Sequence, residues 1–201
     1  MNFKEYITEQ SKTEVIGMFA ETELALLGEA GEIIDEIKKN IFHQKKDRTG
    51  LIEELGDFFW YLVQFSKEVN AAPYLEQLAL AMLTEEEMEG DEEFQNSVKS
   101  LRQDIDKTVA EMHYRLLLRE FMKFVFNLTN FREGGNSLLG YKDGIPYPAL
   151  KGLTDLQSED LQNVVFYYGV FLKRYAKTSL SEILEKNIEK THERYKNRLG
   201  E

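Results

Sequence analysis

The sequence predicts an all-α protein, and three observations carry that expectation. Only three of its 201 residues are proline, so long stretches run without a helix breaker. Ala, Leu, Glu and Lys dominate those stretches, and all four are good helix formers. Apolar residues recur at three- and four-residue steps, the period of one buried helical stripe, and no alternating strand pattern appears. With 42% hydrophobic and 30% charged residues, the chain has the composition of a globular protein. Its length suits one domain, or two small halves sharing one core.

The first long helix is expected from about Thr13 to Lys39, with Phe19, Leu26, Ala30, Ile33, Ile34 and Ile37 on its buried stripe and Lys38 and Lys39 at its C-terminal end. A basic connector, His43 to Arg48, leads to Gly50. The second helix, about Leu51 to Asn70, is apolar over most of its circumference and belongs near the middle of a bundle. Pro73 interrupts. Seven of the ten residues in Thr84–Glu93 are acidic, the mark of a solvated helix end or loop. Helical spacing resumes over about Ser97–Asn130. Glu133–Gly152 then gathers five glycines and two prolines, which reads as a surface loop or, given its length, a lid. Two more helices are expected at about Ser158–Ala176 and Ser179–Leu199, the second capped by Ser179 with Glu182 three residues on.

The formal net charge is −11, which argues against nucleic-acid binding and suits a protein that holds cations. Cysteine is absent, so disulfides and thiolate metal sites are excluded. The segment MNFKEYITEQ lacks a signal-peptide core, and no apolar run approaches a membrane span. The expectation is a cytoplasmic protein with no membrane partner.

Two acidic pairs stand out. Glu29 and Glu32 lie three apart in LLGEAGEIIDEIKK, and Glu54 and Asp57 lie three apart in LIEELGDFFWYL. Residues i and i+3 share a helix face with Cβ atoms about 5–6 Å apart, so each pair is a two-carboxylate claw. Magnesium prefers hard oxygen ligands and completes its shell with water and substrate phosphate. The plain alternative is a solvated acidic face, since 36 residues are acidic. Placement distinguishes the second claw: Glu54, Asp57, Tyr61, Gln64 and Glu68 form the single polar stripe of an otherwise apolar helix.

GEAGEIIDEIKK followed by EELGDFFWYL closely resembles the MazG-like and dCTP pyrophosphatase-like all-alpha NTP pyrophosphohydrolases, whose pattern is Glu-x-x-Glu, then Glu-x-x-Asp about twenty residues later. Glu32 and Glu54 are twenty-two apart. LSEILEKNIEKTHERY resembles the family's closing helix, with Asn187, Lys190, Arg194 and Tyr195 on its recurrent positions. The resemblance implies a helical bundle in which Glu29, Glu32, Glu54 and Asp57 hold Mg²⁺, with Mn²⁺ as a substitute, against a nucleoside triphosphate that is cleaved to monophosphate and pyrophosphate. Glu53 is a candidate base. Lys38, Tyr61, Asn187, Lys190, Arg194 and Tyr195 are candidate substrate contacts, Asn187 toward the base; Lys45, Lys46 and Arg48 are further phosphate candidates. The substrate class implied is a noncanonical or surplus nucleotide.

Gly28 stands where many MazG-type members have a second glutamate; dCTP pyrophosphatase-like members also have glycine there. The closing helix normally follows the second motif within a few residues, whereas here about a hundred intervene. A decayed repeat accounts for that gap. LLREFMKFVF lays on LLGEAGEIID, placing Glu120 on Glu29 and Lys123 on Glu32, and SEDLQNVVFYYGVF lays on IEELGDFFWYLVQF, placing Asp160 on Glu54 and Asn163 on Asp57. The chain then divides into an active half (1–72), an acidic connector or insert (73–113) and a degenerate half with the closing helix (114–201), a fused pseudo-dimer; the alternative is an unrelated insertion. The rival function is a catalytically silent helical module for nucleotide sensing or protein interaction. A di-iron bundle would want Glu-x-x-His pairs, which His43, His113 and His192 do not make. A homo-oligomer is compatible with all of this.

Overall fold

In a computed structural model of the chain, the described residues are 1–13, 19–44, 46–84, 92–129, 141–142, 145–146 and 155–199. Helix α1 spans Phe3–Thr13, α2 Phe19–Phe42, α3 Thr49–Glu68, α4 Ala72–Leu83, α5 Glu92–Glu111, α6 Tyr114–Thr129, α7 Asp155–Phe171 and α8 Leu180–Leu199. The architecture is all-α. Among the described residues it departs from α-helix in a π-helical turn, Leu172–Ala176, after α7, and in a hairpin of two-residue strands, β1 Tyr141–Lys142 and β2 Ile145–Pro146, with Tyr141 opposite Pro146. Such strands are too short for alternation to show in the sequence. The rest of the Glu133–Gly152 stretch, and its lid reading, lies outside the described residues.

Helices α2 and α3 pair antiparallel, because Thr22 bonds Glu68 at 3.0 Å while Glu36, two helical turns beyond Glu29, lies against Gly50. The expected stripe does the packing: Leu26, Ala30, Ile33 and Ile37 are fully buried. Helices α6 and α7 form a second antiparallel pair, joined through Phe121–Phe171 (centroids 4.8 Å) and Phe124–Tyr167 (5.8 Å). Helix α6 packs on α2. Phe58 of α3 lies between Phe121 and Tyr168, at 5.5 and 6.0 Å, and the Tyr168 hydroxyl donates to the Leu55 carbonyl at 2.9 Å. Each pair thus covers apolar surface the other leaves open.

Residues 14–18 of the expected first long helix lie outside the described residues; ahead of them Phe3, Tyr6 and Gln10 turn one face of α1 into the core, where α1 meets α8. Two boundaries differ from expectation. Pro73 opens α4 at its first turn rather than ending a helix, where its missing N–H costs nothing. The expected helix over Ser97–Asn130 is two helices, broken at Met112–His113. No glycine or proline marks the break. Side chains satisfy the backbone there instead: His113 Nδ1 accepts from the Arg115 N–H at 3.3 Å, and Arg174 Nη1 donates to the Met112 carbonyl at 2.5 Å.

The stretch read as an acidic connector, 73–113, folds as α4 and α5 around the undescribed residues 85–91, and its apolar faces enter the core. Leu75, Ala79, Met82 and Ile105 are buried, and Arg102 donates to the carbonyls of Ala81 and Leu80 at 2.8 and 3.2 Å. Both helices pack on α7. Ile105→Ala should therefore cost about 2–5 kcal/mol of unfolding free energy in a urea titration; an unchanged midpoint would mean that α5 is merely appended.

Candidate metal centre

The site is built from the start of α3 outward. Arg48 precedes the helix without a side-chain cap bond. Asp47 Oδ1 accepts from the Thr49 N–H at 2.9 Å and the Thr49 hydroxyl at 2.7 Å. Glu36 of α2, nearly buried, sets its carboxylate so close to Gly50 that a Cβ there would stand 2.8 Å from Oε2. Negative charge at a helix N-terminus is favourable, so this contact ties the register of α3 to α2. In that register Glu29 faces Glu54 and Asp57, and ligand oxygens of these three residues all lie within 4.8 Å of one another.

Their electrostatics are those of crowded like charges. Burial, followed by the charges of Asp57, Glu54 and Glu32, pushes the Glu29 carboxyl up to about 7. Glu54 is also raised, by burial and then by Glu32. Lys190 opposes the rise in both. Converging carboxylates that resist shared ionisation are a donor set of hard oxygens suited to a divalent cation. Glu32 is exposed on the margin of α2. It acts on Glu29 and Glu54 through its charge and is not one of the three convergent groups.

Asp57 is the best-supported of the three. Asn187 of α8 donates from Nδ2 to Oδ1 at 2.9 Å, and Lys190 donates from Nζ to Oδ2 at 2.7 Å; Arg194 Nη1 is 3.7 Å from the same Oδ2. Asn187 is 3% exposed, and its Oδ1 accepts from the Tyr6 hydroxyl at 2.9 Å. A carboxylate offers only acceptors, so the amide nitrogen must face Asp57. Burial, with the charges of Tyr168 and Asp57 behind it, holds the Tyr6 hydroxyl protonated. The chain Tyr6 to Asn187 to Asp57 therefore has one consistent direction. Gly56 eases the approach of α8: a Cβ there would stand 3.0 Å from Asn187 Cβ, tight enough that the helices would have to give by a few tenths of an ångström.

The remaining expected residues are scattered. Asn187, read as a base contact, has both ends of its amide engaged inside the protein. Glu53 is exposed beside Glu54, outside the convergent trio. Lys38 is ion-paired with Asp35 on its own helix. Tyr61 is half-buried, edge-on to Trp60 with centroids 5.0 Å apart. Lys46 is exposed and Arg48 half-buried in the connector; Lys45 and the Tyr195 side chain lie outside the described residues. In the second half, Lys123 Nζ is 3.6 Å from Glu120 Oε2, and Asn127 donates to Asp160 at 3.4 Å. Tyr6 and Glu36 went unremarked as site residues. The spacing Phe3, Tyr6, Gln10 was the available signal for Tyr6.

A carboxyl whose pKa rises on folding favours the fold when protonated. Its contribution is complete below its ordinary value of 4.5 and is lost as pH climbs through about 7. The metal-free protein should accordingly lose Tm between pH 5 and pH 8, and Glu29→Gln should make that fall shallower. Equal slopes in calorimetry would show that Glu29 does not carry the strain.

Comparison with known proteins agrees with the geometry. Residues 19–76 match the family model of the MazG nucleotide pyrophosphohydrolase domain. No curated protein and no solved structure matched the chain. No helix among the described residues is long and apolar enough to cross a membrane. The matched span runs from the first residue of α2 through α3 into α4 and holds all four predicted carboxylates, so over that span the chain is similar to the MazG nucleotide pyrophosphohydrolase domain.

Proposed function

We propose that the protein is a Mg²⁺-dependent nucleoside triphosphate pyrophosphohydrolase, converting a (d)NTP and water to the (d)NMP and pyrophosphate. The observation that carries this reading is the convergence of Glu29, Glu54 and Asp57 within 4.8 Å, inside the span that matches the MazG domain. These three, with Glu32 at their edge, would hold the cation. Bound there, Mg²⁺ would neutralise triphosphate charge and lower the pKa of an attacking water.

The chain's own residues do the rest. Tyr6 and Asn187 fix the plane of the Asp57 carboxylate, a positioning role rather than base recognition. Lys190 and Arg194 put two positive charges on the α8 side of the site, where a triphosphate needs them. Tyr61 lies one turn beyond Asp57 on the polar stripe of α3, at the height where a nucleoside would extend from the phosphates. The reaction breaks the bond between the α-phosphorus and its bridging oxygen. That oxygen leaves with pyrophosphate, and water supplies the new P–O bond.

The packing of α6 and α7 against α2 and α3 supports a decayed second copy. Its claw position is neutralised internally by Lys123, so one site per chain follows. With Mg²⁺ or Mn²⁺, a nucleotide panel should yield monophosphate and pyrophosphate, and EDTA should stop it; release of single orthophosphate would overturn the assignment. Asp57→Ala should lose well over the roughly 10–100-fold typical of a group outside the metal's own ligands, with the fold retained by circular dichroism. Glu120→Ala should leave kcat/KM within about twofold of wild type, the size of an ordinary surface substitution; a loss like that of Asp57→Ala would mean that the second half carries a working site.

A further inference from the structure

Lys190 stands where a cation is wanted. Its Nζ lies 2.7 Å from Asp57 Oδ2, and with 23% of its side chain exposed, against 15% for Asp57, the pair is sheltered from solvent. Lys186, one turn earlier on α8, turns back to Glu182 of its own helix at 2.8 Å and is half exposed. Lys190 instead crosses to α3. Its charge also works against the raised pKa of Glu29 and Glu54, on two different helices. Asn187 takes Asp57 Oδ1 and Lys190 takes Oδ2.

An ammonium and a divalent cation cannot both hold these oxygens at full strength, because like charges a few ångströms apart in a site sheltered from water repel each other. The lysine stem is flexible and its charge is compact, so it can swing without disturbing α8. Resting on the pyrophosphohydrolase reading above, we propose that Lys190 is the resident counter-cation of the carboxylate trio, bonded to Asp57 while the site lacks metal and released to the nucleotide's phosphates when a divalent cation enters. Metal alone must push the ammonium into water. Metal with nucleotide gives it a new anionic partner. The two ligands therefore tighten each other's binding, reciprocally.

The test is Mn²⁺ titration of the full chain, with free Mn²⁺ read by electron paramagnetic resonance, with and without a non-hydrolysable α,β-imido nucleoside triphosphate. In wild type the nucleotide should tighten Mn²⁺ binding by about 5- to 150-fold, the usual range of coupling between sites. Lys190→Met and Lys190→Gln should bind Mn²⁺ about tenfold more tightly than wild type without nucleotide, and their enhancement by nucleotide should shrink by a similar factor. Lys190→Arg keeps a cation and should stay near wild type. Lys186→Met removes an equal charge from the same helix and should change nothing. Equal Mn²⁺ affinity in wild type and the neutral Lys190 variants, or tighter binding with an undiminished nucleotide effect, would overturn the exchange while leaving the metal site standing. Failure of every protein to bind Mn²⁺, with or without nucleotide, would instead remove the metal site, and the exchange with it.

Discussion

The structure turns on one unfavourable interaction: three carboxylates held within 4.8 Å of each other between helices that would pack more easily with apolar residues in their place. Among the described residues, no cation of α2 or α3 is ion-paired with these three. Relief comes from α8, which brings an amide and an ammonium to Asp57 and packs close over position 56, where there is no side chain. Helix α1 then pins the amide through Tyr6. The outer helices are accordingly placed by the charge problem at the centre as well as by hydrophobic burial.

The remainder of the bundle acts as a rigid backing for that centre. The ring cluster of Phe58, Phe121, Phe171 and Tyr168 locks α3 to the second helix pair, and the Tyr168 hydroxyl is anchored on the Leu55 carbonyl, between Glu54 and Asp57 along the chain. Carboxylates mounted on a helix fixed at that point keep their spacing when their charge state changes. Close packing of this kind resists the small displacements by which crowded charges would otherwise separate.

The central pair was legible in the sequence because its information is local. The 3.6-residue period set the buried face of α2, and a polar stripe on a nearly all-apolar helix singled out Glu54 and Asp57. Asn187 was found through the resemblance, but its bonds to Asp57 and to Tyr6, 181 positions away, depend on two other helices and so were not legible locally. The break at Met112–His113 was invisible for the same reason: arginine 174 and a histidine side chain terminate what propensity alone would have continued. Acidity in 84–93 concealed how apolar its flanks are, so α4 and α5 read as a connector although both bury side chains in the core. Glu32 carried the motif's spacing, but whether a carboxylate points inward or to the margin depends on helix rotation, which spacing does not determine.

The order of these residues along the chain has a consequence for biosynthesis. Asp57 emerges from the ribosome 130 residues ahead of Asn187. At about 5–20 residues per second, that interval lasts roughly 7–26 s. Throughout it the α2–α3 segment carries Glu29, Glu54 and Asp57 with no lysine from α8 to balance them.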